Sequence, residues 1–145
     1  MLWNLRLFAM GMALLSLTAC NSDAPGTPDD AASAASDFLS LLVERNADEA
    51  WTHLTPATRS VAYDDDQTAF AEDVQAADWS TFEWEIGQVT DYEISWGVNV
   101  IVEDQAVPSF LYQEGVAGTS EQFGVVLLVQ LTDAGYMIAG PALDE

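Results

Sequence analysis

From residue 31 to residue 77 the apolar side chains recur at three- and four-residue intervals; beyond Trp79 they alternate. In "DDAASAASDFLSLLVERN", Ala31, Ala35, Phe38, Leu39 and Leu42 fall on one stripe and predict a helix. Asp29 or Asp30 is expected to cap its start, where a carboxylate also meets the helix dipole. Asn46 is expected to stop it. A second helix follows in "ADEAWTHL", with Ala47, Ala50, Trp51 and Leu54 on one face. Thr55 and Pro56 then supply a cap and a proline at the first helical position for a short third helix. "DQTAFAEDVQAA" predicts a fourth, capped by Asp66 and presenting Phe70, Val74 and Ala77.

The alternating part reads as strands. "TFEWEI" sets Phe82, Trp84 and Ile86 on one side, and "YEISWGVNVIV" does the same with Tyr92, Ile94, Trp96, Val98, Val100 and Val102. Residues 87–91 are expected to turn between them. "VPSFLYQEGV" predicts another strand, with Pro108 at its start or edge. "QFGVVLLVQL" is apolar on both faces and is expected to lie centrally in the sheet. "TDAG" predicts a tight turn into "YMIAG", and Pro141 ends regular structure. Helices first and strands after predict an α+β fold with an antiparallel sheet, rather than alternating βαβ units. The sheet is expected to curve around the N-terminal helices and bury the face of Phe82, Trp84, Trp96 and Val98.

The first twenty residues stand apart. Arg6 precedes an apolar segment at residues 7–17, shorter than the roughly 20 residues a membrane-spanning helix needs. A charged start, a short apolar core and small residues afterwards describe an export signal. The segment ends in the chain's one cysteine, Cys20. Ordinary cleavage before Cys20 would set Leu17 where a small residue is preferred. Leu17-Thr18-Ala19-Cys20 instead resembles the lipobox of bacterial lipoproteins. That resemblance implies a diacylglyceryl group on the Cys20 thiol and Cys20 as the mature N-terminus, held on the extracytoplasmic side of a membrane. The simpler alternative is a secreted protein with an incidental cysteine. Two acyl chains anchor stably where one binds reversibly.

Acylation of Cys20 would leave no thiol for a disulfide, so the domain must rest on its apolar core. Charge adds a second constraint. All 24 acidic residues follow Cys20, against Arg45 and Arg59 alone and no lysine. Such a surface repels nucleic-acid phosphates, and no nucleic-acid partner is expected. It also repels anionic lipid heads. "NSDAPGTPDD" lacks apolar periodicity and is expected to be an extended tether, reaching some 30 Å at about 3.1 Å per residue. The expected organisation is a lipoprotein signal peptide over residues 1–19, a lipidated tether over 20–30 and a domain over 31–140.

Within that domain, "AASDFLSLLVERNADEAWTHLTPATRS" resembles the opening of the cone-shaped nuclear transport factor 2-like superfamily. The matching positions are Phe38, Leu39 and Leu42, a polar step at residues 46–49, Ala50, and Leu54, Thr55 and Pro56. The resemblance implies a cone with a pocket between helices and sheet. It does not imply one function, because some members are isomerases or dehydratases and others bind ligands or proteins.

Candidate chemistry is sparse. His53, the only histidine, lies opposite the apolar stripe of its helix and is expected to face water. "YDDDQ" fails as a calcium loop, since counting from Asp64 puts Ala69 and Gln75 where Gly and Glu belong. Helix capping explains that run more simply. With one histidine and an acylated cysteine, no zinc site is expected, and neither is a cofactor. Trp51, Phe70, Trp84 and Trp96 are the candidates to line a ligand pocket, with Phe82 and Phe110 near them; the plainer reading is that these rings fill the core. No catalytic residue is assigned. The leading expectation is a lipid-anchored, non-catalytic envelope domain that binds a partner protein or a small apolar ligand. An isomerase- or dehydratase-like enzyme with buried acid-base groups is the alternative, and a passive acidic spacer is a third reading.

Overall fold

The structure, a computed structural model, describes residues 24–102, 108, 111, 120–121 and 124–140. Four helices come first among them: α1 (Pro28–Val43), α2 (Ala47–His53), α3 (Pro56–Tyr63) and α4 (Gln67–Ala76). The strands are β1 (Trp84–Tyr92), β2 (Ser95–Val102), β3 (Ser120–Glu121), β4 (Gly124–Thr132) and β5 (Gly135–Ala139). All sheet pairings are antiparallel. The order is β1-β2-β4, and β3 and β5 share the far edge of β4, opposite its start and its end respectively. The fold is α+β, with the helices packed against a curled sheet that does not close.

Each helix starts on a side-chain oxygen that accepts a backbone N–H, which satisfies donors the helix itself cannot. The caps are Thr27, Asn46, Thr55 and Asp66. Thr55 and Asp66 act as the sequence predicts. Asp29 and Asp30 do not cap α1; they stand in its first turn, two and three residues after Thr27, because Pro28 opens this helix as Pro56 opens α3. Asn46 starts α2 rather than ending α1, which stops at Val43 and turns out through Arg45 at φ 59°.

The predicted stripe of α1 is the centre of the core. Ala31, Ala35, Phe38, Leu39 and Leu42 are fully buried in one cluster with Val98, Val100, Val102, Val125, Leu127, Val129 and Ile138 of the sheet. A side chain of Leu, Val or Phe size contributes roughly 1.5–3 kcal/mol when fully buried. The central place of β4 agrees with its sequence, for Gly124, Val125, Val126 and Leu127 are buried in succession.

The β1–β2 hairpin departs from expectation. Residues 87–91 continue the strand, and the register shifts between Ile86 and Val89, so Gly87 belongs to a bulge rather than a turn. The turn falls at Glu93 and Ile94, with Glu93 at φ 58°. It is closed by a side chain: Asp91 Oδ1 accepts the Glu93 N–H at 3.1 Å. Trp96, Val98, Val100 and Val102 keep their inward alternation, while Tyr92 and Ile94 are 51% and 67% exposed. Of the strand expected in "VPSFLYQEGV" only Pro108 and Leu111 are described, and the Leu111 N–H donates to the Pro108 carbonyl across a turn; its other residues lie outside the described ones. The turn predicted in "TDAG" is present, with Gly135 at φ 100°.

One polar seam holds the helices to β5. Leu54 forms a parallel bridge with Ile138, and the Thr55 N–H donates to the Ile138 carbonyl at 2.9 Å. The buried Thr58 hydroxyl accepts the Gly140 N–H and lies 2.8 Å from the Thr55 hydroxyl. The Leu-Thr-Pro step therefore covers a strand edge whose backbone groups would otherwise be unpaired. Thr58→Val keeps the shape and removes the acceptor, so it should destabilise the domain by about 1–3 kcal/mol. Urea unfolding checks this, and a change below roughly 0.5 kcal/mol would remove the seam from the account.

Candidate functional site

The structure places the four pocket candidates in three packing environments. Trp51 of α2 and Phe70 of α4 come together, with ring centroids 5.5 Å apart, and Tyr63 of α3 meets both edge-on. This trio joins three helices. Trp84 stacks on Phe82 at 5.6 Å, and Phe82 in turn meets Trp79. Trp96 lies near the hairpin turn, paired with Asp91, whereas Trp84 pairs with Val102 at the far end of β2. Six residues of β2, about 20 Å at 3.3–3.4 Å each, separate those two levels. Trp51, Phe70 and Trp96 are buried and Trp84 is half-buried. Phe110 and Cys20 lie outside the described residues.

A grouping that sequence reasoning missed surrounds Trp96. The chain just ahead of α1 crosses the turn end of the sheet and is tied to it at three points. The Ala24 N–H donates to Asp91 Oδ1 at 3.3 Å, the Trp96 indole N–H donates to the Pro25 carbonyl at 3.2 Å, and the Thr27 N–H donates to the Tyr136 hydroxyl at 2.9 Å. Ala24 is only 5% exposed. Residues 24–27 are thus fastened to the sheet ahead of α1. The physical reason is Gly26. Its φ is +90°, and a Cβ there would overlap the Tyr136 hydroxyl. Only glycine admits both the left-handed backbone and that approach. A legible signal was present, because Thr27 and Pro28 repeat the Thr-Pro start of α3.

The two arginines of the domain serve helix ends. Arg59 donates to the Trp51 and Thr52 carbonyls in the last turn of α2, with its guanidinium 5.4 Å from the Trp51 ring centroid. Arg45 donates to the Gln75 carbonyl near the end of α4, and the Gln75 amide answers on the Arg45 carbonyl. Cations placed there complement the partial negative charge of a helix C-terminus.

Several polar groups with catalytic or ligating potential are likewise engaged in structure, whereas Asp91 Oδ2 is buried with no hydrogen-bond partner among the described residues. The Tyr63 hydroxyl donates to Asp73 Oδ2 at 2.9 Å, tying α3 to α4. In "YDDDQ", Asp64 ends α3 at φ 51° and Asp66 caps α4. Among the described residues no group of three or more His, Cys, Asp or Glu side chains is arranged to hold a metal ion. His53 sits half-exposed in the last turn of α2. The Ser80 hydroxyl, and next its N–H, hold the exposed Asp78 carboxyl below the ordinary carboxylate range. That stabilisation is complete at neutral pH and disappears as pH falls through the lowered value.

No protein-family profile, curated protein or solved structure matches the chain.

Gly26 and Gly135 both have positive φ, but nothing lies within 4 Å of a Cβ built on Gly135. Gly135→Ala therefore reports backbone strain alone, and Gly26→Ala adds the collision with Tyr136. Thermal unfolding should show Gly26→Ala to be the more damaging by at least about 1 kcal/mol. Equal losses would mean that the Tyr136 contact does not fix the N-terminal segment.

Proposed function

We propose that this is a lipid-anchored protein of a bacterial cell envelope, fixed by acyl chains on Cys20 to the extracytoplasmic side of a membrane. Its domain acts by binding a partner protein or a small apolar ligand. The supporting observation is that Ala24, four residues after Cys20, is buried against the sheet. An anchor on Cys20 is then coupled to the domain through a few peptide units. The apolar run ahead of Leu17-Thr18-Ala19-Cys20 supports the same reading. The order of elements, helices followed by an open curled antiparallel sheet, supports a nuclear transport factor 2-like cone.

The enzymatic alternative has one observation in its favour, the hydrogen bond from the Tyr63 hydroxyl to Asp73. A phenol beside a carboxylate is the kind of pair that moves protons. Here it joins two helices over the Trp51 and Phe70 rings, where a structural role accounts for it. Binding is therefore the preferred reading.

Detergent phase partitioning tests the anchor. The full chain, produced in a bacterium that processes lipoproteins, should enter the detergent phase and carry an acylated N-terminal Cys20. Cys20→Ser should move it to the aqueous phase. Unchanged partitioning, or a mature peptide reading through Ala19 with a free thiol at Cys20, would overturn the proposal.

A further inference from the structure

The tip of the β1–β2 hairpin carries two of the large apolar side chains that the described surface leaves open, Tyr92 and Ile94, at 51% and 67% exposure. Glu93 and Ile94 form the turn itself. Ala24, four residues after Cys20, lies at this same tip. Asp91 Oδ1 accepts the N–H of Ala24 and also the N–H of Glu93 that closes the turn, so one carboxylate joins Ala24 to the hairpin end. Pro25 is fastened next to it by the indole N–H of Trp96.

Only four peptide units run from the Cα of Cys20 to that of Ala24, and fully extended they span about 14 Å. This is less than half the 30 Å of a free ten-residue tether. Acyl chains on Cys20 would therefore hold the hairpin tip, and not an arbitrary face, next to the lipid. From the docked Ala24, the exposed Tyr92 and Ile94 and this short reach, we infer that the β1–β2 hairpin tip rests in the interfacial layer of the bilayer. Ile94 is then its leading lipid-contacting side chain, beside the exposed part of the Tyr92 ring, which lies back over Gly97. An aromatic ring with a polar tip and a branched aliphatic chain suit that layer. Glu93 and Asp133 occupy the tips of the two neighbouring hairpins, so approach is favoured on zwitterionic lipid and opposed on anionic lipid. The inference rests on the acylation of Cys20 proposed above.

The chain's single cysteine makes the test direct, because acylation leaves an introduced thiol unique. Ile94→Cys and, separately, Ile101→Cys are made in the full lipidated protein. Each is labelled with an environment-sensitive fluorophore and reconstituted into phosphatidylcholine vesicles. Ile101 is also exposed, at 44%, but it lies seven residues further along, about 23 Å away. Quenching by nitroxide groups on the lipid chains should be at least threefold stronger at position 94 than at 101. Equal quenching, or none at either position, in a singly labelled protein that floats with the vesicles would overturn the hairpin placement and leave the anchor standing. Two labels per chain and failure to float would show that Cys20 is not acylated, which removes both proposals.

Discussion

Twenty-four acidic side chains and three basic ones make a chain that repels itself at neutral pH, and it has no disulfide to restrain it. What opposes that repulsion is the burial of the α1 stripe against the inner face of the sheet. Phe38, Leu39 and Leu42 meet Val98, Val100 and Leu127 with no solvent exposure on either side. The other contacts depend on this layer being formed. The Leu-Thr-Pro step reaches β5 only because α1 and α2 already lie across the sheet, and Ala24 reaches Asp91 only because α1 fixes the direction of the preceding chain. The arginine donors go to carbonyls at the ends of α2 and α4, with the Arg45 charge adding a small favourable field at Asp78. Cohesion is chiefly apolar, trimmed by hydrogen bonds that include those of Arg45, Arg59 and Asp91.

The pattern of hydrophobic positions carried the helical half well, since a three- and four-residue period over several turns has few other interpretations. The stripe at Ala31, Ala35, Phe38, Leu39 and Leu42 is the buried face residue for residue. Capping chemistry was readable where Thr stood before Pro56 and where Asp66 preceded a polar-apolar period. The same Thr-Pro dipeptide at Thr27 and Pro28 was obscured by its surroundings, because Pro25, Gly26 and two aspartates suggest an unpaired linker. What turns those residues into structure is Tyr136, 109 positions along the chain, and no local pattern encodes a contact at that distance.

The hairpin shows the same limit in a different form. Gly87 and Asp91 are turn residues by composition, yet the first sits in a bulge and the second closes the turn from outside it. Glu93 and Ile94 carry no turn signature of their own; Asp91 supplies it. The aromatic candidates were legible as large buried rings but not as a set. Trp51 and Phe70 meet across two helices, while Trp84 and Trp96 are spread along one hairpin. The grouping that bears most on the proposed function, Ala24 with Asp91, Trp96 and Tyr136, draws its members from opposite ends of the chain. Through it, a lipid on Cys20 would become a constraint on orientation as well as on location.

The balance between like-charge repulsion and apolar burial is tested most directly by the unfolding free energy measured against sodium chloride. Salt shortens the screening length from roughly 14 Å at 0.05 M to about 3 Å at 1 M, weakening repulsion among the carboxylates while leaving the buried stripe unaffected. A domain held together in this way should become steadily more stable across that range. Stability that falls as salt is added would mean that attractive ion pairs hold the fold, contradicting the account at its base.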